Sequence, residues 1–158
     1  FAFQTQLFFL LSRYRQQVEL MQRDLFSRAV VSDYLFQKDR IFASLNLSDA
    51  EMQLYDQILP LLERDLPRPD RVVYLRAELP TLQERVERRG RSFEKGMDPD
   101  YLESLREAYD YFFFHYRATP LLVVNTDRLN VVERPGDLEQ LVARILAHRK
   151  GTAYYNPA

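Results

Sequence analysis

Gln6 and Arg13 stand seven residues apart near the start of the chain. On an α-helix that separation is almost two full turns, so both project from one face, with Phe9 and Leu10 between them. An amide that both donates and accepts, beside a guanidinium and an aromatic ring, suits the edge and face of a nucleobase. The same spacing also describes an ordinary helix whose polar residues face water. The stretch "VVSDYLFQKDR" (Val30 to Arg40) carries a second set: Asp33 ends a short β-branched run, and Asp39 follows with Lys38 and Arg40 beside it. A buried carboxylate is costly unless it is paired or used. Asp33 suits the acceptance of a proton from a substrate hydroxyl, or the holding of a metal ion. Asp39 suits pairing with Arg13. Their structural alternatives are a chain cap and a surface ion pair.

A third set lies in "ERVERRGRSFEKG" (Glu84 to Gly96). Arg85, Arg88 and Arg89 share a helical face, and Arg91 follows just past Gly90. Guanidiniums gathered where a helix gives way to a loop suit a polyphosphate clamp, because each planar fork matches phosphate oxygens and keeps its proton. Gly90 and Gly96 suit the hinges of a lid. The alternative is a solvated helix paired with Glu84 and Glu87.

Residue patterning supplies the elements that must position these groups. Phe3, Leu7, Leu10, Leu11, Tyr14, Val18, Met21 and Leu25 recur at helical steps and predict a helix over 1–26. Ala29 to Ser32 reads as a strand buried on both faces, with Asp33 at its carboxyl end. "SDAE" from Ser48 opens a helix over 48–64. Arg71 to Ala77 is a second strand; Pro80 to Arg89 is a helix closed by Gly90; a further helix begins near Pro99. The run Tyr109 to Tyr116 within it reads as core packing, His115 included. Leu121 to Asn125 is a third strand, Asp137 caps a last helix ending near His148, and the tail after Gly151 reads as frayed. Short apolar strands alternating with helices predict an α/β domain over 1–150, a parallel sheet covered by helices, with 151–158 as a flexible tail. In such sheets ligands bind beyond the carboxyl ends of the strands.

Composition narrows the field. The formal net charge of −1 gives no whole-molecule attraction for nucleic acid, so an anion site must be a local basic cluster. The absence of cysteine removes disulfides and thiolate chemistry and suits a reducing, cytoplasmic setting. With His115 and His148 the only histidines, a multi-histidine metal centre is not expected, and no residue is assigned as a metal ligand. No apolar run is long enough for a membrane span.

Together "FQTQLFFLLSRYRQQ", "VVSDYLFQKDRIFA", "RVVYLRA", "ERVERRGRSFEKGMDPDYLESL" and "LLVVNTDRLN" resemble the deoxynucleoside kinases, in family order and over nearly the whole chain. The resemblance is strongest to the bacterial deoxyadenosine and deoxyguanosine branch. It implies a fold of the P-loop nucleoside and nucleotide kinase type. It also implies transfer of the ATP γ-phosphoryl group, with Mg2+, to the 5′-hydroxyl of a deoxynucleoside in nucleotide salvage. By resemblance, Gln6 reads the base, Arg13 and Asp39 complete that recognition, and Phe42 lies beside it. Asp33 matches the general base, Arg85, Arg89 and Arg91 the lid arginines acting on phosphate, and Glu94 the acid holding the 3′-hydroxyl. Asp127 falls in the loop that contacts the ATP adenine. Helices 1–26 and 48–64 match those that pack between subunits, implying a homodimer.

Two departures stand out. Tyr34 follows the strand-end acid where many family members carry arginine. No G-x-x-x-x-G-K-[ST] phosphate loop occurs in the 158 residues. The first strand and that loop are therefore expected upstream, the chain reading as an N-terminally truncated copy that is inactive by itself. Rival expectations are a non-catalytic nucleoside-binding or dimerisation module and the kinase half of a fusion with a pterin pyrophosphokinase. Base preference stays open among adenine, guanine, cytosine and thymine.

Overall fold

The computed structural model describes residues 1–23, 29–91 and 96–157, which fall into two compact units, Phe1–Pro67 and Arg68–Ala158. The first is helical: α1 (Ala2–Arg23), a 3-10 turn (Phe36–Lys38), α2 (Asp39–Asn46) and α3 (Asp49–Glu63). Leu10 of α1, Phe36, Ala43 of α2, and Tyr55 and Leu59 of α3 form its buried core. α3 begins as its sequence predicts. The Glu51 carboxylate accepts from both the backbone N–H and the hydroxyl of Ser48, at 2.9 and 2.8 Å, offsetting donors that a helix start otherwise leaves unpaired.

The second unit is a parallel sheet of β1 (Val72–Arg76), β2 (Leu121–Asn125) and β3 (Thr152–Tyr155), in the order β1-β2-β3. Its helices are α4 (Leu79–Arg89), α5 (Pro99–His115) and α6 (Pro135–Ala147). Val73 pairs with Leu122, and Leu122 with Ala153, so these three share a face that packs with Leu141 and Ile145 of α6. Tyr74 and Val123 point the other way, and the Tyr74 ring stacks on Phe113 of α5 at 4.3 Å between centroids. Helices thus cover both faces, and β2, between two neighbours, is apolar and buried along Leu121–Val124. Gly90, at φ 64°, closes α4 in the left-handed conformation that glycine adopts without strain.

The structure changes several local expectations. Residues 29–32 are not a strand: Val31 is 98% exposed, and none of β1, β2 and β3 pairs with the segment. A strand exists only where a neighbour takes its N–H and C=O groups, and periodicity cannot supply one. Asp33 consequently sits in an exposed bend rather than at a strand end. Residues 152–155, expected to fray, instead form the edge strand β3, with Ala153 and Tyr155 in the core beneath α6. α1 is described as far as Arg23, so Leu25 and the end of the 1–26 helix lie outside the described residues. α6 starts at Pro135, before Asp137, because proline's fixed φ and missing N–H suit a first turn. The aromatic run of α5 is only partly core: Phe113 and Tyr116 are buried while Tyr111, Phe114 and His115 are exposed. A helix turning 100° per residue cannot bury eight consecutive positions against one sheet. No helix of the described residues is long and apolar enough to cross a membrane.

Candidate active site

In the helical unit a buried carboxylate gathers three donors. Asp39 is the first residue of α2 and only 5% exposed. Its Oδ2 accepts from Gln6 Nε2 at 3.1 Å and from the Tyr55 hydroxyl at 2.8 Å, and its Oδ1 accepts from the Tyr34 hydroxyl at 3.2 Å. A carboxylate removed from water needs such donors, and bonds to a charged acceptor are stronger than neutral ones. Burial, reinforced by the bond to Asp39 and by its charge, pushes the Tyr55 phenol far above the usual tyrosine range, which keeps it a donor.

Helix geometry brings Gln6 to this point. Leu10, one turn on, is fully buried and fixes the rotation of α1 against α2 and α3. Gln6 therefore faces inward, while Phe9, expected on the same stripe, is 51% exposed. With Nε2 committed to Asp39, the amide is held in one orientation, and Oε1 takes no hydrogen bond from any described residue. Arg13, one turn beyond Leu10, does not form the expected ion pair with Asp39. Its guanidinium lies over the Tyr34 ring at 4.7 Å and donates to Gln16 at 3.1 Å. The reason is steric and electrostatic: the Asp39 oxygens already face Gln6, Tyr34 and Tyr55, and Tyr34 stands between the two charges as a common platform. Phe42 lies one turn along α2 from Asp39 and is partly buried. The surface ion pair belongs to the neighbouring Arg40, which grips Asp56 through two bonds of 2.8 and 2.9 Å.

Asp33 is exposed, and its backbone carbonyl accepts from Lys38 Nζ at 3.3 Å. Partial burial lowers the Lys38 pKa, assisted by the charge of Arg13 and opposed by Asp33 and Asp39.

In the sheet unit the carboxyl ends of β1 and β2 meet. Thr126, just past β2, is buried and donates to the Arg76 carbonyl at 2.9 Å. Arg85 donates to the Thr126 hydroxyl at 2.7 Å and also to its carbonyl. The arginine expected on a phosphate clamp is therefore anchored to the end of β2, while Arg88, Arg89 and Arg91 are exposed around the end of α4. Asp127 accepts from the Glu78 N–H at 2.9 Å, so its carboxylate joins the end of β2 to the start of α4. Burial pushes the Asp127 pKa upward, but bonds from Glu78 and Thr81, with the charges of Arg85 and Arg76, outweigh it and hold it below the usual carboxylate range. Glu94 lies outside the described residues. Beneath these groups Arg76 and Arg106 bind Asp110, at 3.0 and 2.9 Å, and the Tyr74 hydroxyl donates to the same carboxylate.

Sequence patterning does not point to Tyr55 or to the platform role of Tyr34. The available signal was a phenol on an otherwise apolar helix face, since a buried tyrosine hydroxyl needs a partner.

The family model described as deoxynucleoside kinase matches residues 1–149. The chain belongs to the deoxynucleoside kinase family. It is 36% identical over 149 residues to the deoxyguanosine kinase of Bacillus subtilis, a match covering 91% of this chain and 72% of that relative. It is 29% identical to the deoxyadenosine kinase of Lactobacillus acidophilus, covering 73% of this chain and 60% of the relative. The structure of deoxyadenosine kinase from M. mycoides with bound dCTP superposes with a TM-score of 0.71 at 25% identity, over 92% of this chain and 73% of that one. The same enzyme with bound dATP gives 0.74 at 22% identity and supports the fold. The parallel sheet with helices on both faces is thus the fold of a deoxynucleoside kinase, and the family's activity is that of a nucleotide-using phosphotransferase.

Proposed function

We propose that the protein phosphorylates purine deoxynucleosides at the 5′-hydroxyl with ATP, as a step of nucleotide salvage in the cytoplasm, and that residues 1–150 carry the acceptor and lid functions. The observation that carries the base assignment is the buried Gln6–Asp39 bond, with Tyr55 behind it and Arg13 over Tyr34 in front. Gln6 Oε1 is an acceptor for the amino group of adenine or the imino N–H of guanine. Arg13 is a donor for N7, or for N7 and O6 together. Adenine offers its amino group and N7 on one edge, and guanine offers its imino N–H on one side of O6 and N7 on the other; pyrimidines have no N7. Phe42 supplies the apolar neighbour to the base, and Glu94 holds the sugar 3′-hydroxyl.

Asp33 takes the proton of the 5′-hydroxyl, a role for which its exposed position fits better than a buried one, since the substrate must reach it. Arg85, Arg89 and Arg91 offset the negative charge of the transferring group, Arg85 mainly by fixing the end of β2. Asp127 lies beside the ATP adenine. Among the described residues no group of three histidines or acids can hold a metal ion. Mg2+ would arrive with the ATP phosphates, and no step is assigned to it. The exposed apolar residues Phe8, Phe9 and Leu11 of α1 and Leu54 and Leu61 of α3 favour a homodimer through those helices.

The test is a comparison of kcat/KM for the four deoxynucleosides with the intact protein. Purines are expected to exceed pyrimidines by about tenfold or more, the effect of one lost base contact. Asp33→Ala should lower kcat by about 10³-fold with little change in nucleoside affinity. A pyrimidine preference would refute the base assignment, and unchanged turnover in the Asp33 variant would refute the proton acceptor.

A further inference from the structure

At the carboxyl end of β1 a chain of ion pairs runs through three elements. Arg76, the last residue of β1, donates from Nε to Asp110 at 3.0 Å and from Nη1 to Glu78 at 2.7 Å. Arg106 of α5 donates to Asp110 Oδ2 at 2.9 Å and grips Glu103 through two bonds of 2.6 and 2.9 Å. Glu103 and Asp110 lie one turn to either side of Arg106, so the guanidinium is held along α5, and its side chain is only 15% exposed. Across from it stands Glu78, whose Oε2 lies 3.9 Å from Arg106 Nη1. Single exposed ion pairs contribute little to stability, but a linked set fixes directions as well as distances.

Glu78 immediately precedes α4. Its N–H is held by Asp127, and Arg85, farther along α4, is held by Thr126, so both of these ties run to the end of β2. Two attachments to one segment leave rotation about the line that joins them. The Glu78 carboxylate, bound to Arg76 and facing Arg106, adds attachments to β1 and α5 that oppose this rotation. The far end of α4 carries Arg89, and Arg91 follows Gly90. Eleven residues of helix span about 16 Å, so a swing of about 10° at the start displaces the far end by about 3 Å. A misplacement of about 1 Å, caused far from the chemistry, can cost about 10²-fold in rate.

We propose that Arg106, held by Glu103 and Asp110, is a positioning residue for ATP use: through Glu78 it sets the direction of α4 and so the place of Arg89 and Arg91. This rests on the reading of Arg89 and Arg91 as groups that act on phosphate. Arg106 touches no reacting atom in this role. Asp110 anchors it to β1, since the same carboxylate also accepts from Arg76 and from the Tyr74 hydroxyl at 2.8 Å. Arginine suits the task because its planar fork bonds two carboxylates at once and keeps its charge at any working pH.

The test compares initial rates and nucleoside binding in the intact protein. Arg106→Met is expected to lower kcat/KM for ATP about tenfold or more, while calorimetric binding of deoxyguanosine without ATP changes less than about threefold. Glu78→Gln, at a half-exposed position, should give a loss of the same order. Added to Arg106→Met it should cost less than a further twofold or so, because both variants break one tie; unrelated stabilising pairs would multiply. In an Arg89→Met background the Arg106→Met loss should likewise shrink below about threefold. Losses that multiply in both combinations, or a deoxyguanosine affinity that falls as far as ATP use, would overturn the proposal. An impaired Arg89→Met protein beside Glu78→Gln and Arg106→Met proteins at wild-type rates would overturn the positioning role and leave the arginine assignment standing. Wild-type rates in Arg89→Met and Arg91→Met would overturn that assignment, and the proposal with it.

Discussion

Replacing Tyr55 by phenylalanine isolates the bond that holds the central carboxylate. The Tyr55 ring is fully buried among Leu10, Phe36, Ala43 and Leu59, and phenylalanine keeps its volume, so no ring-sized cavity opens. What disappears is one 2.8 Å hydrogen bond to a carboxylate that is itself 5% exposed. A bond to a buried charge contributes about 1.5–3 kcal/mol, the upper part of that range reflecting the acceptor left short of a partner. Urea unfolding followed by far-ultraviolet circular dichroism should show the midpoint falling by about 1 M, given ordinary slopes for a chain of this size. A double-mutant cycle with Asp39→Asn then separates the pair from the rest of the core. The coupling energy is expected to be about 1.5 kcal/mol or more, because an asparagine side chain offers a weaker, uncharged acceptor. Since Gln6 shares Oδ2 with Tyr55, nucleoside affinity should fall alongside stability. A coupling below about 0.5 kcal/mol would refute the argument, since Asp39 would then be held by something other than the phenol.

Two further outcomes follow from other parts of the molecule. Asp127 has a folded pKa below its unfolded value, so the stability it contributes is present above the unfolded carboxylate range and lost as pH falls through the folded value. The difference in unfolding free energy between wild type and Asp127→Asn should therefore be largest near neutrality and close below about pH 4; a gap that widens in acid would contradict the sign. In the helical unit, Leu54→Glu and Leu61→Glu place charge at positions 52% and 64% exposed, so the monomer should stay folded while a dimer separates. Light scattering after size exclusion reads this directly, and a monomeric wild type would remove the homodimer.

Much of the second unit is legible in the order of its residues. β1 and β2 are short apolar runs, Pro80 sits in the first turn of α4 and Gly90 closes it, and α5 opens at Asp98, whose carboxylate accepts from the Asp100 N–H at 2.9 Å. These signals are local: side-chain period, caps and breakers lie within one element. Expectation fails where pairing with a distant segment settles the outcome. "AVVS" at 29–32 and "TAYY" at 152–155 are both β-prone, yet only the second finds a neighbour in β2. Likewise nothing near Arg85 in sequence reveals that Thr126 will stand against it.

The primary structure offers the candidates for the site, Gln6 and Arg13 at one helical face, Asp33 and Asp39 flanking a short turn and arginines around Gly90, and a family resemblance that the match over 1–149 bears out. Their partners come from packing in three dimensions. Asp39 meets Tyr55 and Gln6 across 16 and 33 residues, and Arg13 rests on Tyr34 instead of on the acid. A burial period specifies which face of a helix turns inward, whereas the identity of the group waiting there depends on the packing of separate elements. That is why Asp39 and Gln6 could be named from sequence while their mutual bond, and the phenols of Tyr34 and Tyr55, could not.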